Sequence, residues 1–312
     1  MKVILNNSLM LPSWYSEYRD LIEKNIFSYL DKYIEKNNSN EWLVNFRNAL
    51  FYSNQGWKKI RSLLALEFFL SITGKKISEI KEEDDIIKIA VAIELLHAYS
   101  LVHDDLPCMD NDEYRRWIQT CWKKYWEYNA VLAWDLLNSL AYEILSDMEN
   151  SEHAIEIIKL LSSHTWFNGM IWGQVSDMFF ENDTEKLSYS DLVELHTKKT
   201  GKLIKASVLC GIIAAWKSHK ADDFKRFWEK IWLAFQIKDD LLDVEGTFEE
   251  TGKSVWMRES WNFEQKWFVY FMWVEKTKME LESVIIDCKN VATKLWSEKL
   301  EFLVQYISDR KK

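Results

Sequence analysis

Residues 92–116 read AIELLHAYSLVHDDLPCMDNDEYRR. From Ala92 to Val102 apolar residues cover nearly every helical face, which predicts a helix buried on most sides. It runs into Asp104 and Asp105, and Pro107 then ends it, because the ring disfavours helical backbone in the residue before it. Asp104, Asp105, Asp110, Asp112 and Glu113 lie within ten residues. Carboxylates that close repel one another unless a cation sits among them. A solvated acidic loop is the plain alternative, but the apolar helix before it and Arg115-Arg116 after it favour a cation site.

The same helical periodicity extends outward in both directions. Leu21, Ile22, Ile26, Phe27, Leu30 and Ile34 recur at helical spacing over 16–36. Residues 59–73, 85–104 and 128–148 are apolar enough to be mostly buried. Further helices are expected at 152–181, 189–215, 221–245, 262–288 and 290–309. The breaks are short and polar, as at Thr73-Gly74-Lys75-Lys76, and no Ser/Gly linker or repeat divides the chain. The expectation is one all-α domain over 1–312, an antiparallel bundle of about ten helices.

Composition agrees with that class. Gly 8 and Pro 2 in 312 residues fall well below ordinary shares of roughly 7% and 5%. β-sandwiches and Rossmann sheets, which use many turn glycines, lose ground. A net charge of −9 argues against a nucleic-acid partner, whose binding surface is basic. Cys108, Cys121, Cys210 and Cys288 have no paired spacing, so they read as reduced thiols of a cytoplasmic protein. The N-terminus is a poor signal peptide, and no membrane span is expected from the apolar runs.

A second acidic cluster lies in Phe235-Gln236-Ile237-Lys238-Asp239-Asp240-Leu241-Leu242-Asp243. Asp239 and Asp243 are four apart and Asp240 and Asp243 three apart, so the three are expected to crowd one helical face. Two such rows suggest carboxylates facing each other across divalent metal. Only oxygen ligands are on offer, which favours Mg²⁺, an ion that completes its shell with water and substrate phosphates. Lys58, Lys59, Arg61, Arg115, Arg116, Lys199, Lys253 and Lys266 could clamp a further diphosphate.

With both clusters in place, the chain resembles the trans-isoprenyl diphosphate synthases, most of all the bacterial farnesyl type, over roughly residues 40–300. GWKKIRSLL (56–64) is similar to the family's GGKRIRPLL, and the opening stretch to its first aspartate-rich motif. TCWKKYWEYNAVLAWDLLNSLAYEIL (120–145), GQVSDM (173–178), HTKKTGKL (196–203) and FQIKDDLLDVEG (235–246) follow in the family's order. The resemblance implies a helical bundle around a central cavity. It also implies that Asp104, Asp105 and Asp110 hold Mg²⁺ on the allylic diphosphate. Asp239, with Asp240 and Asp243, would hold more, up to three ions in all. Arg115, Lys199, Lys253 and Lys266 match the allylic diphosphate contacts, and Lys58, Arg61, His97 and Arg116 the isopentenyl diphosphate clamp. Gln174 and Asp177 would stand beside the reacting centre, and Thr200 and Gln236 would line the developing cation.

The implied chemistry is ionisation, condensation and elimination, with no side-chain nucleophile and with a homodimer as the usual state. Tyr99 and Ser100, one turn before the aspartates, would limit the product to C15. The sequence departs from the family at Trp57, Trp117, Trp126, Trp134, Trp172 and Trp232, where glycine is usual, and at Trp122, where histidine is. Overpacking a dense interior costs about 1–3 kcal/mol per site, so these residues could occlude the site. Two other readings follow. One is a folded but impaired binding or partner subunit. The other is a class I terpene cyclase, disfavoured because the second motif reads DDLLD.

Overall fold

The computed structural model describes residues 11–33, 40–56, 58–115, 117–182, 187–216, 224–245 and 268–310. In chain order they form α1 (Ser13–Tyr33), α2 (Glu41–Asn54), α3 (Ile60–Thr73) and α4 (Asp85–Asp104). Then come β1 (Tyr114–Arg115), β2 (Ile118–Gln119), α5 (Cys121–Tyr125), α6 (Glu127–Ser146), α7 (Ser151–Thr165) and α8 (Met170–Asn182). The rest are α9 (Tyr189–His196), α10 (Lys202–Ala214), α11 (Lys225–Glu245), α12 (Phe268–Lys294) and α13 (Glu298–Asp309). Among the described residues the one sheet is the two-residue ribbon β1–β2, so the all-α class holds. The chain divides into two compact units, one of Ser16–Thr165 with Ala206–Ala221, the other of Met1–Tyr15, Trp166–Lys205 and Asp222–Lys312.

In the first unit α4 is the central element, packed against α2, α3 and α6. Ile87, Ile89, Leu95 and Leu96 are wholly buried, each contributing about 2 kcal/mol by leaving water. Leu96→Ala would cost about 2–5 kcal/mol, the transfer term plus the cavity left behind. The helix is long and apolar enough to cross a membrane, but 78% of that window is buried in the unit. Its apolar surface is therefore spent on core. Glu94 is buried as well, and its carboxylate accepts hydrogen bonds from the Ser62 hydroxyl (2.8 Å) and amide (3.2 Å), tying α4 to α3. α3 closes on Gly74, whose φ of 72° lets its amide reach the Leu70 carbonyl at 2.8 Å; glycine takes that left-handed cap without a Cβ clash.

In the second unit α11 and α12 lie side by side and α13 packs on both. Phe227, Ile231, Ala234, Ile237 and Leu241 form the buried stripe of α11 at helical spacing. α13 begins at Ser297, whose hydroxyl accepts the Leu300 amide at 3.0 Å. That satisfies one orphan donor of the first turn.

Several expected helices differ in detail, and α12 runs through the break expected at 289 as far as Lys294. The helix expected over 152–181 is split into α7 and α8 at residues 166–169, where the Gly169 amide turns back on the Trp166 carbonyl at 2.8 Å. The Asn168-Gly169 pair favours a turn over a continuing helix. The run over 189–215 is interrupted by a π-helical turn at Thr197–Gly201, which the periodicity of the sequence does not signal.

Candidate active site

The tip of α4 presents the first acidic row. Beyond Asp104 the chain folds back, with the Asp110 amide bonded to the Asp104 carbonyl at 2.9 Å and the Met109 amide to the Leu106 carbonyl at 2.9 Å. Asp105 is buried and receives Arg115 through Nε at 2.7 Å and Nη2 at 2.5 Å. Burial pushes its carboxyl up to about 6; Arg115 pulls against that, and Asp112 and Asp104 add to it. Asp104 is half-buried beside His103, and Asp110 is exposed. Arg115 is delivered by the β1–β2 ribbon, where it faces Ile118. The base of that ribbon is pinned by the Thr120 hydroxyl and the Trp122 indole, both donating to the Asp112 carbonyl, at 2.7 and 2.9 Å.

Along the same unit, Arg61 of α3 meets His97 of α4, Nη1 to Nε2 at 3.1 Å. Lys58, three residues before Arg61, is half-buried. Lys59 is buried at the helix start, where its ammonium donates to the Asn54 carbonyl at 2.8 Å and burial lowers its pKa. Tyr99 is buried, with its hydroxyl pushed above the usual range by burial. The Ser100 hydroxyl is turned back on the His97 carbonyl at 2.9 Å. Trp134 stacks edge-on with His103 at 4.4 Å between ring centres.

In the second unit Lys199 and Asp177 form a close pair, Nζ to Oδ2 at 2.6 Å, with Asp177 buried. The π turn widens the backbone at Lys199 and Thr200, and such bulges are frequent at functional sites. Gly173 makes the approach possible, since a Cβ there would stand 2.2 Å from the Lys199 amide nitrogen. Gln174 follows, its amide Nε2 buried without a hydrogen-bond partner. Lys198 lies over the Trp172 ring at 3.6 Å, and Trp232 is buried against Gly201.

The second acidic row does not share one face. Asp240 turns inward, its Oδ1 accepting the Gln236 amide at 2.9 Å and its Oδ2 the Phe268 backbone amide at 2.7 Å. Burial drives its carboxyl well above the ordinary range; the two hydrogen bonds pull it back, and Asp239 and Asp243 push it up. Asp239 points outward to Arg310, 2.8 Å away, and Asp243 is half-buried. Successive residues on a helix are about 100° apart, so neighbouring Asp239 and Asp240 cannot share one orientation. Arg310 was absent from the sequence expectations, with only the basic ending Arg310-Lys311-Lys312 as a signal. Arg116, Lys253, Lys266 and Trp57 lie outside the described residues.

A profile of the polyprenyl synthetase family matches residues 42–258. The chain belongs to the polyprenyl synthetase family. It is 36% identical to the farnesyl diphosphate synthase of Micrococcus luteus, over 85% of this chain and 89% of that one. The farnesyl diphosphate synthase of Bacillus subtilis is 36% identical over 75% and 77%. Among solved structures, an FPP/GFPP synthase of Zymomonas mobilis is similar with a TM-score of 0.78 at 26% identity, covering 94% of this chain and 98% of that one. A geranyltransferase of Helicobacter pylori, in complex with magnesium and isoprenyl diphosphate, is similar with a TM-score of 0.73 at 31% identity, covering 96% and 98%.

Among the described residues of this polyprenyl synthetase, no three His, Cys, Asp or Glu side chains gather as a metal cage. Mg²⁺ does not require one. It holds several waters and binds through one or two carboxylates plus substrate phosphates. The all-oxygen donor sets at 104–110 and 239–243 fit that habit. Asp105, buried and already paired with Arg115, brings a further carboxylate to the same row.

Proposed function

We propose that this polyprenyl synthetase condenses isopentenyl diphosphate with dimethylallyl or geranyl diphosphate to give farnesyl diphosphate. The observation that carries the reading is that both acidic rows and the Lys199–Asp177 pair are intact in a chain 36% identical to a farnesyl diphosphate synthase over 85% of its length. In this reading Asp104, Asp105 and Asp110 hold magnesium on the allylic diphosphate, and Asp239, aided by Asp243, holds more of it. Magnesium, when bound, offsets the charge that develops on the departing diphosphate. Asp240, with both oxygens engaged, positions Gln236 instead of ligating.

Arg115, Lys199, Lys253 and Lys266 bind the allylic diphosphate, and their preorganised charge lowers the barrier to its departure. Lys58, Arg61, His97 and Arg116 orient isopentenyl diphosphate so that its double bond attacks the allylic cation. Thr200 and Gln236 line that cation. Gln174, with a buried amide left over, and Asp177 steady the reacting centre. A proton is then lost to the departed diphosphate. Tyr99 and Ser100 set the product at C15. The chain works as a single cytoplasmic polyprenyl synthase domain in a homodimer, without nucleic acid.

Radiolabelled isopentenyl diphosphate with geranyl diphosphate and Mg²⁺ should yield a C15 diphosphate, and EDTA should abolish it. No incorporation at any Mg²⁺ concentration would defeat the reading. A second reading, a binding subunit without turnover, is favoured by Trp232 buried against Gly201 and by half-buried Trp134 edge-on to His103. Calorimetry with a bisphosphonate and Mg²⁺ separates the two, since binding without turnover supports the second. A hydrocarbon made from farnesyl diphosphate alone would point instead to a cyclase.

A further inference from the structure

Seven non-glycine residues of the described chain have positive φ, and five of them are tryptophan. They are Trp117 (71°), Trp126 (76°), Trp216 (57°), Trp273 (64°) and Trp296 (54°). Tryptophan makes up 17 of 312 residues, so chance would put fewer than one among seven. Left-handed backbone crowds Cβ against the following carbonyl, and only glycine, with some help asparagine and aspartate, visits it freely. Trp126 (ψ 150°) and Trp273 (ψ 157°) are more extreme. That region is used almost solely by glycine.

Each position does a job for which glycine is the ordinary choice. After α12, the Trp296 amide bonds to the Thr293 carbonyl at 3.0 Å and the Ser297 amide to the Ala292 carbonyl at 3.3 Å. That pair of bonds is the Schellman ending, whose left-handed residue is usually glycine. Trp216 follows α10 with one bond of that pair, its amide on the Ile213 carbonyl at 2.9 Å. Gly74 serves as the left-handed cap of α3. Trp117 is the second of two loop residues between paired Arg115 and Ile118, a hairpin position that favours glycine. Trp126 stands between α5 and α6 with no side-chain capping bond, and Trp273 breaks the helical dihedrals inside α12.

Trp216 packs on the His153 ring at 4.1 Å between centres, but three of the five indoles return little for this strain. Trp296 is 94% exposed, Trp273 72% and Trp126 68%. Glycine is correspondingly scarce: eight glycines plus seventeen tryptophans make 25 of 312 residues, close to an ordinary glycine share of roughly 7%. One codon, UGA, is read as tryptophan under one genetic code and as glycine under another. We propose that the chain made in its own cell carries glycine at Trp117, Trp126, Trp216, Trp273 and Trp296, with UGA codons there decoded as glycine.

The inference stands apart from the proposed function, because its readouts are codons and stability. The gene should carry UGA at all five positions; UGG at them overturns the proposal, since neither code reads UGG as glycine. The full-length chain with Trp117→Gly, Trp126→Gly, Trp216→Gly, Trp273→Gly and Trp296→Gly should melt higher than the tryptophan chain, on the order of 10 °C. Recovery of a cooperative transition that the tryptophan chain lacks would count the same way. Trp42→Gly, inside α2 at ordinary helical backbone, should lower the midpoint by about 2 °C. A five-site variant that melts at or below the tryptophan chain overturns the proposal. Prenyl transfer by the glycine chain alone would support both readings, and higher stability without transfer would sink only the function.

Discussion

Arg310 holds Asp239 from the far end of the chain: its Nη2 stands 2.8 Å from Oδ1 of the carboxylate and 2.8 Å from the Phe235 carbonyl. The guanidinium carbon also lies 4.6 Å from the Phe235 ring centre. Arg310 is thus buried while Asp239 stays half exposed, so the pair is worth on the order of 1 kcal/mol. The cation sits on the carboxylate that magnesium is expected to use. Arg310→Ala should therefore lower the Mg²⁺ concentration for half-maximal turnover by up to about fivefold. A Mg²⁺ titration of initial rates checks this, and an unchanged or raised requirement would contradict it.

Asp177 orients Lys199 through a short charged hydrogen bond. Asp177→Asn keeps the shape and removes the charge, so kcat/KM for the allylic diphosphate should fall about 10- to 100-fold, with thermal stability lowered by about 2 kcal/mol. Steady-state kinetics beside a melting curve separate the two effects. Equal losses in both would make the pair merely structural.

Asp105 holds its proton more tightly in the fold than in the unfolded chain, because its pKa is raised to about 6 by burial. Between roughly pH 4 and 6 the unfolded state then loses its proton first, and stability falls as pH rises; above 6 the effect is complete. The contribution is on the order of 3 kcal/mol, with the pull of Arg115 already contained in the value of about 6. Urea midpoints of the metal-free protein across that range should show the decline, and Asp105→Asn should flatten it. A variant with the same slope would assign the effect elsewhere.

Tyr99 is buried on α4 just before the acidic tip. If it bounds the growing tail, Tyr99→Ala should shift part of the product from C15 to C20 or longer, at a stability cost of about 3 kcal/mol. Thin-layer or mass-spectrometric analysis reads the distribution. Product confined to C15 would remove Tyr99 from that role.

Cys108 is exposed between Asp105 and Asp110, whereas Cys121, Cys210 and Cys288 are buried. Burial pushes the Cys121 thiol up to about 11 and the Cys288 thiol up to about 12. Native alkylation at pH 8 should therefore modify Cys108 alone, since the thiolate is the reactive form. A bisphosphonate with Mg²⁺ should slow the labelling. Peptide mass mapping decides, and rapid modification of a buried thiol would overturn the assignment.

Much of this was legible from local pattern. α4 could be read because its apolar residues leave no polar face and Pro107 limits its end. The Lys199 and Asp177 assignments came from short motifs that match a family, not from any visible pairing, because 22 positions separate them. Asp239, Asp240 and Asp243 do not crowd one face as their spacing suggests. Spacing gives angular neighbours, but what Asp240 bonds depends on where the Phe268 amide arrives. Arg310 lies 71 positions beyond Asp239, and no periodicity announces such a contact. The turn between α7 and α8 is carried by Asn168-Gly169 alone, a signal that the helical pattern on either side outweighs.

α4 serves as keel along its length and as instrument at its prow. Its buried sides bind α2, α3 and α6, so substitutions there spread through three neighbours before they reach a substrate. Substitutions in its last two turns reach the substrate directly, although Tyr99 and Val102 there are also buried. Divergence toward longer or shorter products should therefore concentrate near positions 99 and 100, leaving Ile87 to Leu96 almost untouched.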